Sequence, residues 1–116
     1  MKIITEKAVT AFLNHKSIKL NNTEVKVIGD NTAGNPLKTE LYLYDNLIAY
    51  SYKQEEGGIN LYISSADWAT STTRERLNGL LKLTDSGKTN ISGGQMYYTD
   101  SMKRKTALDK YFTQAL

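Results

Sequence analysis

The chain has 116 residues, 15 Lys and Arg against 12 Asp and Glu, a formal net charge of +3 and no cysteine. That length suits one domain, residues 1–116, since a single core usually serves about 100–150 residues. With no thiol and one histidine, His15, disulfides, thiolate chemistry and the usual zinc sites are excluded, and a Ser/His/Asp triad has one candidate base.

Thr5 is placed to cap a helix over Glu6–His15, whose Ala8, Val9, Phe12 and Leu13 make one apolar stripe. Asn21 and Asn22 break the chain before a β-branched run, Thr23–Ile28, which reads as a strand. Gly29–Pro36 is a loop. Around Asp45-Asn46, alternation in Leu37–Tyr44 and Leu47–Tyr52 predicts a hairpin. Pairing Tyr44 with Leu47 puts Leu43, Ile48, Leu41, Tyr50, Thr39 and Tyr52 on the core side and Tyr42 with Ala49 on the other. Ile59, Leu61 and Ile63 add a third strand after Gly57-Gly58.

Thr72 and Glu75 have the spacing of a capping box, and Leu77, Leu80 and Leu81 supply the stripe of the helix that follows. Its Gly79 weakens that helix by about 1 kcal/mol relative to alanine. Thr89–Ser92 and Gln95–Thr99 form a hairpin across Gly93-Gly94. A third helix is expected from Asp100 or Ser101, with Met102, Leu108, Tyr111, Phe112 and Ala115 along one side. The predicted class is α+β: an antiparallel sheet of about four to six strands with three helices packed on it.

The hairpin Leu43-Tyr-Asp-Asn46-Leu-Ile48-Ala49, the strand at Ile63 and the segment Trp68-x-Thr70-x-Thr72-Thr73-x-x-Arg76-Leu77-Asn78-x-Leu80 resemble small accessory proteins of tailed bacteriophages. The likeness covers roughly residues 37–81, and Asp45 and Asp67 stand where that group commonly has glycine. The resemblance implies a protein made during infection and acting in the bacterial cytoplasm, against host defences or on host machinery.

Two clusters invite an anion. Trp68, Thr70, Thr72, Thr73, Arg74 and Arg76 offer hydroxyls, guanidinium groups and a stacking ring at a helix start. The same residues also read as an N-cap, with Trp68 packed on Leu77 and with Arg76 and Asn78 tying the helix to the sheet. Lys103, Arg104 and Lys105 oppose the dipole of the expected third helix, at roughly 0.3–1 kcal/mol each, which a phosphate would offset; a solvated basic face is the plainer reading. Tyr42, Tyr44 and Tyr62 face away from the leucines, as an interaction surface or beneath a covering helix.

No Walker or dinucleotide loop, metal-loop spacing or convincing carboxylate pair occurs, so no enzyme, metal or cofactor is expected. No run nears the ~18–20 apolar residues of a membrane span, and five charges interrupt Met1–Leu20 where a signal peptide needs an apolar core, so a soluble, non-exported protein is expected. The leading expectation is a non-enzymatic binding protein that sequesters an anionic, nucleotide-type ligand. A nucleic-acid binder using its basic helices, and an inhibitor gripping a host protein through the tyrosines, are the alternatives. Proteins of this size often form homo-oligomers whose interfaces complete a pocket, and one is expected here.

Overall fold

The computed structural model describes residues 1–32 and 34–116. In chain order its elements are α1 (Ile3–Leu13), β1 (Ile18–Leu20), β2 (Thr23–Ile28), β3 (Lys38–Leu43), β4 (Asn46–Lys53), β5 (Ile59–Ile63), α2 (Ser71–Thr84), β6 (Lys88–Ser92), β7 (Gln95–Thr99), β8 (Lys105–Leu108) and β9 (Thr113–Gln114). They form an antiparallel six-stranded sheet, ordered β1-β2-β3-β4-β5-β9, and a three-stranded one, ordered β6-β7-β8. The class is α+β with antiparallel sheets, as the hydrophobic periodicity predicts.

The described residues hold two helices, not three. In place of the C-terminal helix, β8 pairs with β7, and β9 pairs with β5. Local chemistry explains the difference. Three consecutive cations oppose a helix start at Lys103–Lys105, while Thr106, Tyr111, Phe112 and Thr113 favour extended backbone. Of the expected stripe, Leu108 is buried as the last residue of β8, while Met102 and Tyr111 are 71% and 69% exposed. As strands, the same residues cover two sheet edges that would otherwise present unpaired backbone.

At the other end, α1 begins before Thr5, which lies inside the helix, fully buried, and is not its cap. The strand β1 was not visible in the sequence. Gly79 of α2 meets Thr5 of α1 so closely that an added Cβ would lie 2.4 Å from Thr5 Cγ2. The glycine thus permits the helix crossing. Leu77, Leu80 and Leu81 fill the space between α1, the large sheet and the small sheet, whose Met96, Tyr98 and Leu108 complete the core. Asn78 joins α2 to β6, accepting from the Thr89 amide at 2.6 Å and donating to its carbonyl at 3.3 Å.

The β3–β4 hairpin is real, but its register differs from the predicted one. Leu43 pairs with Asn46, so the loop residues are Tyr44 and Asp45, at φ 48° and 63°. These are the left-handed values that a two-residue hairpin turn needs, and they fall on one of the positions where glycine is common among the resembled proteins. Beyond the turn, Leu41 pairs with Ala49 and Glu40 with Tyr50, and Ile48 is the extra residue of a bulge. A one-residue slip reverses every side chain. Tyr50 and Tyr52 therefore leave the core and join Tyr42 and Tyr62 on the outer face, while Ala49, Ser51 and the bulged Ile48 are buried.

Candidate functional site

The connection from β5 to α2 is held at its start. Ser64 Oγ donates to the Asp109 carbonyl at 2.6 Å, Ser65 Oγ donates to the Leu108 carbonyl at 3.1 Å, and the Ala66 amide donates to Ser64 Oγ at 2.9 Å. Ala66 and Asp67 then take φ values of 53° and 56°, the backbone that makes glycine common at the second position in the resembled proteins. After this sharp reversal Trp68 is 55% exposed, whereas Leu77, on which it was expected to pack, is fully buried.

Thr70 is extended (φ −105°, ψ 160°), and its Oγ1 accepts the Thr73 amide at 3.2 Å. It is the N-cap, so the helix starts two residues ahead of the Thr72–Glu75 pattern. Glu75 instead accepts the Lys2 backbone amide at 3.1 Å. The amides of Ser71 and Thr72, in the first turn, have no acceptor that a helix can supply internally. On the opposite side the hairpin turn holds Tyr44 62% exposed.

Between these two pieces lies a recess of about 120 Å³. Trp68, Thr70, Thr72 and Thr73 line it from the α2 side, and Tyr44, Asn46, Leu43 and Ile48 from the hairpin. Four of the ligand residues expected from sequence, and Tyr44 of the expected interaction surface, thus meet at one place. Leu43, Asn46, Ile48, Ser65 and Ala66 also line it and were not anticipated. Leu43, Asn46 and Ile48 come from the hairpin, whose register the alternation pattern placed one residue away, and Ser65 and Ala66 from the connection that the Leu108 and Asp109 carbonyls hold.

The cations are distributed differently from the expectation. Arg74 is exposed on the first turn of α2. Arg76 is 4% exposed and directed into the molecule, donating from Nε to Thr23 Oγ1 at 3.0 Å, from Nη1 to Thr5 Oγ1 at 2.8 Å and from Nη2 to Asn22 Oδ1 at 3.4 Å. It ties the helix to the sheet and to α1, the second of the roles read for it, and is no surface ligand. Burial lowers its pKa, while the nearby Glu75 carboxylate opposes that shift. Burial likewise raises the Glu75 pKa, but the Lys2 amide, the Thr5 hydroxyl, the N-terminal ammonium and Arg76 together hold it below the ordinary value.

Lys103, Arg104 and Lys105 do not line the recess. Leu108 and Asp109 touch Ser65, and Lys105 stands at the other end of β8, about 10 Å along the strand. Asp100 binds its own turn: its carboxylate accepts the Met102 and Arg104 amides, each at 2.9 Å, and pairs with Arg104 Nε at 2.8 Å. Lys105 lies over the Tyr97 ring, 4.5 Å from its centroid. No helix start exists here to bind an anion.

His15 follows the end of α1 in a left-handed turn, its Nδ1 2.9 Å from Thr39 Oγ1. Burial, then the charge of Lys53, lowers its pKa. No group of acidic and histidine side chains suited to a metal ion occurs among the described residues. Among the described residues no helix is long and apolar enough to cross a membrane.

The family of Kyanoviridae Gp96 proteins matches residues 1–114. The chain belongs to that family. It is therefore a phage protein, the setting that the Trp68–Leu80 segment and the hairpin implied. Neither a curated protein nor a solved structure matches it.

Proposed function

We propose that this phage protein is a non-enzymatic accessory protein that acts on a host system in the infected cell by binding, and that the recess at the start of α2 receives an anionic, nucleotide-type ligand. The observation that carries this reading is the meeting of two exposed rings, Tyr44 and Trp68, over the hydroxyls and open first-turn amides of α2. A ring beside a helix N-terminus matches a base or sugar attached to a phosphate, since the aligned peptide dipoles and the unpaired amides favour negative charge there. Arg74 adds a cation within the same turn.

A volume of about 120 Å³ holds a phosphate or part of a ring, whereas sites for whole small molecules run to roughly 300–1,000 Å³. The ligand therefore extends along the outer side of Trp68 toward Arg74, and a second copy of the chain is the natural source of the missing wall.

Trp68 is the sole tryptophan, so it reports occupancy directly. Titration with mononucleotides and cyclic dinucleotides is expected to change its fluorescence saturably, and Arg74→Ala together with Tyr44→Ala to weaken that response by about tenfold or more. A flat titration with every nucleotide, together with no nucleotide released on denaturing protein purified from bacteria, refutes the reading.

A further inference from the structure

The outer face of the six-stranded sheet is a second surface, independent of the recess. Both helices pack on the inner face, leaving Tyr42, Tyr50, Tyr52 and Tyr62 outside with Lys19, Lys26 and Lys38. The rings are organised. Tyr50 stacks on Tyr62 at 4.9 Å and 17°, meets Tyr52 edge-on at 5.9 Å, and is met by Phe112 of the β8–β9 connection at 4.9 Å. Cations are interleaved with them: Lys38 Nζ lies 4.7 Å from the Tyr50 centroid, and Lys26 Nζ 4.7 Å from that of Tyr42.

We propose that this face is a stacking platform for single-stranded nucleic acid. Tyr50 is enclosed by Tyr62, Phe112 and Lys38 and anchors the pile. Tyr52, which shares Lys38 at 5.7 Å, and Tyr62, whose cross-strand neighbour on β9 is the exposed Gln114, flank it and are the rings assigned to bases. Every base has a π-face, and base–aromatic stacking needs no sequence-specific edge, so a row of rings on adjacent strands takes successive bases. The lysine heads lie at ring height, where the phosphates of a strand crossing the rings would run.

Charge distinguishes this occupant from others. The face carries three lysines, Lys19, Lys26 and Lys38, against two acids, Glu24 and Glu40, so it is positive by one charge; Lys38 and Glu40 pair at 3.4 Å, and Glu40 also accepts the Tyr42 hydroxyl at 3.1 Å. A protein partner would have to dehydrate lysines lying among the rings, which is why lysine is scarce in the cores of protein interfaces. A second copy laid face to face would bury the same lysines from both sides of the interface. Phosphates compensate the same ammonium groups and keep them hydrated.

The test is fluorescence anisotropy of labelled oligothymidylate and oligouridylate, each about 12 nucleotides long, with the full chain. Binding of either supports the platform, and the stronger one identifies DNA or RNA as the source. Tyr62→Ala and Tyr52→Ala are each expected to weaken binding about tenfold, and Lys26→Glu to weaken it and to flatten the salt dependence. Two engaged lysines predict about a sevenfold loss between roughly 50 and 200 mM salt. Lys103→Glu with Lys105→Glu, in the β7–β8 turn and at the start of β8, should lower affinity far less. Circular dichroism establishes that each variant is folded, and Tyr52→Leu, which keeps apolar bulk without a ring, substitutes if an alanine variant unfolds. The proposal falls if neither oligonucleotide binds, if folded tyrosine variants bind as well as the parent, or if the Lys103/Lys105 pair matters as much as Lys26.

Discussion

Residues 70–78 and 98–105 contain the same ingredients, a residue able to cap a helix followed by closely spaced cations, and they fold into opposite things. In the first, Thr70 caps α2 and the two arginines separate, Arg74 to solvent and Arg76 into the core. In the second, Asp100 folds back on the Arg104 amide and side chain, Lys103 takes φ 67°, and the chain reverses from β7 into β8. What separates them is the partner of the apolar residues. Leu77, Leu80 and Leu81 have a helical period and two sheets to pack on, whereas Met102 and Tyr111 pack on little. Cations near a helix start are thus no evidence of an anion site until the helix itself is secured by burial.

The largest effect that would sharpen this contrast is at Arg76. Arg76→Ala removes three hydrogen bonds, takes from the buried Thr5 and Thr23 oxygens the donor each accepts and leaves a cavity, and is expected to cost about 3–5 kcal/mol in urea unfolding. Arg104→Ala, in a side chain 73% exposed, is expected to move the midpoint far less. Equal effects would mean that the two basic clusters are energetically alike and that burial does not separate them.

Next comes Gly79→Ala. Alanine ordinarily stabilises a helix interior by about 1 kcal/mol over glycine, but its Cβ would stand 2.4 Å from Thr5 Cγ2. Overpacking at the crossing wins, with a net loss of about 1–2 kcal/mol read from the thermal midpoint. A stabilised variant would show that α1 and α2 can separate without penalty. The cap gives a smaller, discriminating result: Thr70→Ala should cost about 1 kcal/mol, whereas Thr72→Ala, the cap expected from the capping-box spacing, should stay within about 0.5 kcal/mol.

These sites also mark how far local sequence patterns reach. Trp68, Thr70, Thr72 and Thr73 were legible as a group because they lie within one short segment, and local chemistry placed a helix start there. Tyr44 joined them only through the hairpin turn. The faces of Tyr50 and Tyr52 were misassigned because a bulge at Ile48 leaves no signature in alternation, and shifting the loop to Tyr44-Asp45 turns the rest of β4 over. Arg76 was read both as a ligand and as a tie to the sheet. Its acceptors, Thr5, Asn22 and Thr23, lie 53 to 71 residues away in sequence. No local pattern encodes such a contact. The C-terminal segment was misread because its strands are defined by the edges of β5 and β7, which composition does not reveal.

The smallest expected effect separates the two regions by pH. Both Glu75 and Asp100 have pKa values below their ordinary ones, Glu75 despite the opposing effect of burial and Asp100 chiefly through the Arg104 amide. For a carboxyl depressed in the folded state, the unfolded chain takes up the proton first. The contribution is therefore complete above about pH 5 and is lost as pH falls through the lowered folded value. Glu75→Gln and Asp100→Asn should each flatten the fall of the urea midpoint between roughly pH 5 and pH 3. The two should respond differently to salt. The Asp100 side chain is 20% exposed, but its cationic partner Arg104 is 73% exposed, so about 1 M NaCl should erase most of the charge part of its effect, while Glu75, beside the buried Arg76, should retain more. If salt removes both equally, the buried cation of α2 and the exposed turn of β7–β8 are screened alike, and the distinction between an internal arginine and a surface one loses its electrostatic basis.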